Sequence, residues 1–167
     1  AKLMKQAGCV GINFSVDHGD SRMLKKLGRS FSPKDILDTA KRCKENNMAV
    51  MFDILLGAPG ESYDSVLSAV ELMKRSEADR VGISLGVRIW PQTALAHDLL
   101  SNPNRDGLVG GTDDLSPLFY LEPTIANEIG TKLESLIGDD SRFLFFNPSN
   151  SSKNYNYNDN QILSDAV

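Results

Sequence analysis

Cysteine is scarce: Cys9 and Cys43 are the only two in 167 residues. They are too few and too far apart for a disulfide framework or a metal knot. Both sit at apolar positions, where a free thiol behaves as a small core residue, and the scarcity fits a reducing compartment. No apolar run reaches about 18 residues, so no membrane-spanning helix is expected. No signal-peptide pattern opens the chain, and the cytoplasm is the expected location. The two histidines, His18 and His97, have no partner at metal-ligand spacing. His18 falls in a Gly/Asp-rich loop, where either a substrate contact or a structural role would suit it. The single tryptophan, Trp90, is expected to pack under a loop. Phosphate-binding P-loop and G-x-G-x-x-G patterns are both missing, which argues against nucleoside triphosphate and Rossmann-type dinucleotide sites.

What remains is the make-up of an ordinary globular protein. Hydrophobic residues supply 41% and charged residues 24%, enough apolar side chain to bury a core. The length suits one domain or a piece of a larger one. The sequence opens at Ala1 inside an amphipathic pattern (Leu3, Met4, Ala7) and reads as a piece of a longer chain. Net charge is −4 but uneven: residues 1–48 carry ten Lys/Arg against five Asp/Glu, and the remainder is acidic. A basic first third could face an anionic ligand, or simply present solvated helix faces such as Lys25–Lys26.

Three short apolar runs read as strands: 9–15 (CVGINFS), 48–56 (MAVMFDILL) and 80–87 (RVGISLGV). Between them lie helical patterns. Ser32 can cap a helix that starts at Pro33, whose fixed φ suits the first helical position. Ile36, Leu37, Ala40 and Cys43 then share a face, and Asn46 and Asn47 end the helix. A second helix spans roughly 62–77, with Val66, Leu67, Val70 and Met73 on one stripe. The alternation predicts an α/β fold with parallel strands joined by right-handed crossovers, buried on both faces. An open doubly wound sheet and part of a (β/α) barrel satisfy the pattern equally. Residues 101–116 read as a long loop, 123–136 as one helix, and 143–146 (FLFF) as a short strand or apolar clamp. Residues 147–167 are low in complexity and expected to be disordered. The expected divisions are 1–97, 98–146 and 147–167.

Ligands of such sheets bind at the carboxyl ends of the strands. The first strand brings Ser15 and Asp17 there, on one face by alternation. The second brings Asp53 and then the turn Gly57–Glu61 (GAPGE); the third brings Arg88. Asp53 stands out, because an acid inside MFDILL costs several kcal/mol to bury unless paired or hydrogen-bonded. A carboxylate serving a ligand and a structural ion pair with a cation such as Arg29 account for it equally. The glycines of the turn allow close backbone approach, and free N–H groups at a helix start favour anions.

Taken in order, these segments resemble the second half of the radical S-adenosylmethionine (radical SAM) domain. An apolar strand ends in a serine and an acid, and a helix follows that ends in Leu-Gly-Arg (NFSVDHGDSRMLKKLGRS, 13–30). Next come a strand of the form D-x-x-x-G-x-P-G-E (DILLGAPGES, 53–62) and then P-x-T (Pro91-Gln92-Thr93). The likeness covers residues 1–97. It implies a partial (β/α) barrel, of which these would be the fourth to sixth strands, with a C-terminal helical extension. It also implies cofactor-binding roles. Asp17 would meet the SAM ribose or methionine, and Ser15 would lie beside it. Arg29 would meet the methionine carboxylate, Asp53 would make a second polar contact, and Gly57 would lie near the adenine. The family's C-x-x-x-C-x-x-C loop, which ligates a [4Fe–4S] cluster, has no counterpart here. SAM and cluster are therefore expected in the full-length parent, with none bound to this piece, which is expected to be inactive alone. The stretch 86–100 with 114–125 (DLSPLFYLEPTI) resembles the region after the barrel in members with a cobalamin-binding domain, many of them methyltransferases. This implies cobalamin as a further parent cofactor. Methylthiotransferases and other branches stay open, as do a flavodoxin-like anion-binding domain and a non-catalytic interaction module. An unpaired strand edge left by such a piece predicts a homo-oligomer; the substrate is unassigned, and no membrane partner is expected.

Overall fold

The computed structural model describes residues 1–104, 106–110 and 118–145. The elements, in chain order, are α1 (Lys2–Gln6), β1 (Gly11–Asp17), α2 (Ser21–Lys26), α3 (Pro33–Lys44), β2 (Ala49–Leu56), α4 (Tyr63–Ser76) and β3 (Arg80–Leu85). They continue with β4 (Val87–Arg88), α5 (Ala94–Leu100), β5 (Leu108–Gly110), β6 (Leu118–Tyr120), α6 (Pro123–Ala126), α7 (Ile129–Ile137) and β7 (Phe143–Phe145).

Capping chemistry sets the helix boundaries. The Ser32 hydroxyl accepts from the Asp35 N–H, while Asp35 accepts from the Ser32 N–H, a reciprocal box at the start of α3. Pro33 takes the first helical position, as its ring geometry favours. Asn47, in left-handed backbone (φ 53), turns the chain into β2. Ser62 and Ser65 form a second box at α4, and left-handed Glu77 ends it.

Four strands form a fully parallel sheet in the order β1-β2-β3-β7. The first three follow sequence order, as neighbouring strands of a barrel do. The fourth is the apolar FLF triplet, which pairs Phe143 with Val81 and Phe145 with Ile83. A run expected among the residues after position 98 thus completes the sheet. Beyond the carboxyl end of β3 the chain builds a small antiparallel sheet, β4-β6-β5.

The two faces of the main sheet differ. One registered row runs Phe14–Phe52–Val81–Phe143 and the next contains Ile54, Ile83 and Phe145. This face packs against Ile36, Ala40 and Cys43 of α3, Val66, Val70 and Met73 of α4, and Ile129 and Leu133 of α7 in one continuous core. Each Val, Ile, Leu, Met or Phe of this core, fully buried, contributes about 1.5–3 kcal/mol. The opposite face carries the alternate positions: the row Ser15–Asp53–Gly82–Leu144, flanked by Asn13, Met51, Leu55 and Ser84. Parallel strands were expected to be covered on both faces; among the described residues, α3, α4 and α7 pack on one. That is the layering of a barrel wall, helices outside and a mixed polar–apolar face within.

Three smaller expectations change. The helix expected over 123–136 is two helices, because Glu128 (φ −120, ψ −5) leaves the helical path between Ala126 and Ile129. The loop expected over 101–116 contains β5, with residues 105 and 111–116 outside the described set. Trp90 is 55% exposed, with Arg88 stacked 4.1 Å from its ring, so it does not pack under a loop. The tail 147–167, expected to be disordered, lies outside the described residues. No helix among the described residues is long and apolar enough to cross a membrane.

Candidate functional site

The sequence-predicted residues fall mainly into two pairs, Ser15 with Asp53 on adjacent strands and Asp17 with Arg29 at the end of β1. Ser15 is exposed and registers against Asp53 on the helix-free face. Asp53 is 9% exposed and accepts a 2.8 Å hydrogen bond from the Asn13 side-chain amide. The cation proposed for it, Arg29, instead pairs with Asp17, Nε to Oδ2 at 2.5 Å. That hydrogen bond raises the Arg29 pKa further against the modest opposing effect of burial. Arg88 sits one strand further, in β4 beyond the end of β3.

Asp17 does not follow the alternation that would put it beside Ser15. The register slips between the two residues. Asp17 has a φ of 62°, and the His18 N–H bonds the Val16 carbonyl across it at 2.7 Å. Such three-residue turns with positive φ are rare and strained, at a cost of order 1–3 kcal/mol. The strand therefore ends in a sharp turn that redirects the Asp17 carboxylate to Arg29.

Gly57 begins the next loop with a φ of 92°, and a Cβ there would lie 2.4 Å from Leu121 Cδ1. The glycine is required by the fold as well as by any ligand. The N–H groups of the GAPGE turn, read from sequence as open to an anion, already face carboxylates of the chain. Gly60 N–H donates to Glu122 Oε2 at 2.6 Å, and Gly57 N–H reaches Glu61 Oε2 at 3.4 Å. Glu122 also accepts from the Tyr120 hydroxyl at 3.2 Å. Burial, followed by this carboxylate, pushes the phenol pKa up to about 12. This occupancy weighs against a flavodoxin-like anion site at the turn.

Sequence reasoning missed a buried pair. His18 Nε2 lies 3.1 Å from Glu61 Oε2, and both side chains are fully buried. The Asp20 N–H donates to His18 Nδ1 at 2.9 Å, which leaves Nε2 as the donor to Glu61. The other Glu61 oxygen accepts from the Ser65 hydroxyl. Desolvation acts to raise the Glu61 pKa, but bonds from His18, Ser65 and Gly57 outweigh it and hold the value below the ordinary one. The only sequence signal was a histidine in a loop and an acid closing a turn. Among the other residues weighed, His97 is exposed on α5, Cys43 is buried in the core, and Cys9 is half-buried against it.

The fit to the implied cofactors divides. An [4Fe–4S] cluster requires a set of closely placed thiolates. No group of three or more Cys, His, Asp or Glu among the described residues could hold a metal ion, and with two cysteines in the sequence the described residues do not fit a three-thiolate cluster site. The strand ends offer groups suited to a polar zwitterion such as SAM: a carboxylate–guanidinium pair at the end of β1, and a second carboxylate and a hydroxyl on the face that carries the apolar Met51 and Leu55.

The family model of the Radical SAM superfamily matches residues 1–73. The chain is 34% identical over 105 residues to the tryptophan 2-C-methyltransferase of Streptomyces laurentii, covering 59% of this chain and 18% of that protein. It is 26% identical over 109 residues to an uncharacterized methyltransferase of Pyrococcus horikoshii, covering 62% of this chain and 24% of that one. A tRNA-2-methylthio-N(6)-dimethylallyladenosine synthase of Clostridium tetani is 37% identical over 73 residues, 42% of this chain and 16% of that protein. The fold is similar to that of the radical SAM methyltransferase TsrM from Kitasatospora setae, solved with cobalamin and a [4Fe–4S] cluster. There the TM-score is 0.73 at 22% identity, over 89% of this chain and 36% of that one. A second TsrM structure, with tryptophan and a SAM analogue bound, gives a TM-score of 0.78 over 90% of this chain. The chain thus spans about a sixth to a third of the proteins it matches. The ordered motifs and these matches show that residues 1–73 resemble a radical SAM superfamily domain, and the fold over most of the chain is similar to part of a radical SAM structure.

Proposed function

We propose that this chain forms part of the SAM-binding barrel of a radical SAM enzyme of the cobalamin-dependent methyltransferase type, with its iron–sulfur cluster held by residues outside the chain. The observation that carries the reading is the polar set at the ends of β1 and β2: Ser15 registered against Asp53 on the sheet face opposite α3, α4 and α7, with the Asp17–Arg29 pair at the turn that ends β1. Bound together in the parent, SAM and the cluster supply reductive cleavage of a carbon–sulfur bond. The residues here bind and orient. The Arg29 guanidinium, a rigid fork suited to carboxylates, would take the methionine carboxylate in exchange for part of its contact with Asp17. Asp17 and Asp53 would accept from ribose hydroxyls or the amino group, and Ser15 would lie alongside. Gly57 would let the backbone approach the adenine. The methyltransferase relatives and the TsrM fold favour this branch over methylthiotransferases. Alone, the chain is expected to bind no cluster and to be inactive.

The test is SAM affinity of the full-length protein. Arg29→Ala and Asp53→Ala should each raise the SAM Kd about tenfold or more, the effect of removing a charged hydrogen-bond partner, while iron content stays unchanged. Unaltered affinity in both variants would refute the site.

A further inference from the structure

The strained turn at Asp17 needs something to hold it, because conformations of this kind persist only where surrounding structure over-determines them. The next residue supplies the anchor. His18 is sealed from solvent, with Nδ1 fixed by the Asp20 N–H and Nε2 bonded to Glu61 across 43 positions of sequence. Gly19 seats the loop directly on α4, where a Cβ would come within 2.7 Å of the Ala69 backbone. Glu61 is in turn fixed from α4 by Ser65 and reaches the Gly57 N–H. The buried pair therefore ties together the two loops that follow β1 and β2.

We infer that His18 and Glu61 are positioning residues: their buried clasp holds Asp17 in its strained turn, and so sets the Asp17–Arg29 pair and the Gly57 backbone for the ligand. The inference rests on the SAM-site reading above. A buried charge is weak support for stability as such; here every ring nitrogen and carboxylate oxygen is spent on joining loops. Neither residue touches the face where the ligand would lie, so the clasp acts through Asp17 and Gly57.

The experiment measures SAM Kd by calorimetry on the full-length, cluster-loaded protein, together with amide hydrogen exchange at residues 17–20. His18→Ala should raise the Kd about tenfold, a coupling typical of residues in one network, and speed exchange in the turn. His18→Gln, which keeps an acceptor and a donor, should recover affinity to within about threefold. Asp17→Ala should weaken binding, and adding His18→Ala to it should weaken it no further. Val70→Ala, a core deletion on α4 that lowers Tm, should leave both Kd and exchange at residues 17–20 unchanged. Wild-type affinity in His18→Ala, full additivity with Asp17→Ala, or an equal loss in Val70→Ala would overturn the proposal. If Asp17→Ala and Arg29→Ala leave SAM affinity intact, the SAM-site reading fails. The exchange data then decide the clasp separately: protection at residues 17–20 lost in His18→Ala but kept in Val70→Ala upholds it, and protection kept in both overturns it.

Discussion

Glu61 brings a carboxylate into a site closed to solvent and holds it ionised by hydrogen bonds. Its depressed pKa links fold stability to pH in a definite direction. A carboxyl with a lowered folded value contributes stability above its unfolded value, near 4.5, and loses it as pH falls through the folded value. Thermal melts between about pH 3 and 7 should show Tm of the wild-type chain falling on acidification more steeply than that of Glu61→Gln. Asp35, Asp79 and Asp140 are also depressed but are common to both proteins, so the difference isolates Glu61. Parallel curves would contradict the account. Individual residues were unevenly legible in the sequence. Asp53 announced itself, because an acid within an apolar strand needs a reason. Its partner Asn13 did not, since a cross-strand contact depends on register, which the sequence of one strand does not carry. The same holds for His18 and Glu61, whose pairing exists only once two loops meet on α4. Asp17 was placed by simple alternation, which fails where the strand ends in a turn of positive φ.

At the scale of elements, local rules predicted best where they were strong. Serine caps, Pro33 and a regular apolar stripe marked α3 and α4, and continuous β-branched and aromatic runs marked β1, β2 and β3. The Ser32 box is a direct check: Ser32→Ala should cost about 1 kcal/mol, read as a shift of the chemical-denaturation midpoint, and no loss would show that the cap is idle. Short elements were less legible. Phe143–Phe145 is three residues long, and only its pairing with β3 makes it the fourth strand rather than an apolar clamp. The β4-β6-β5 sheet is likewise built from two- and three-residue strands joined across distant parts of the chain. The apolar spacing over 123–136 was real, but it continues across a break that local periodicity does not register. The GAPGE turn misled in a different way: its N–H groups are where an anion would bind, and the protein's own Glu122 and Glu61 fill them.

At the scale of the whole molecule, the sheet resembles a length of barrel wall. Its edge strand β1 pairs only with β2 among the described strands, and Leu3 (80%) and Val10 (78%) are exposed nearby. Unpaired edges with apolar neighbours invite association. The isolated chain is therefore predicted to dimerise at tens of micromolar, and a clean monomer in sedimentation equilibrium would contradict this. In the full-length parent the same edge would instead be paired by the preceding part of the barrel. The division of labour between this chain and the rest is the account's central claim, and iron content tests it most directly. After anaerobic reconstitution with iron and sulfide, the full-length protein should hold about four iron atoms per chain, the content of one [4Fe–4S] cluster, and the isolated 167-residue chain should hold none. Stoichiometric iron on the isolated chain, or none on the full-length protein, would contradict the account.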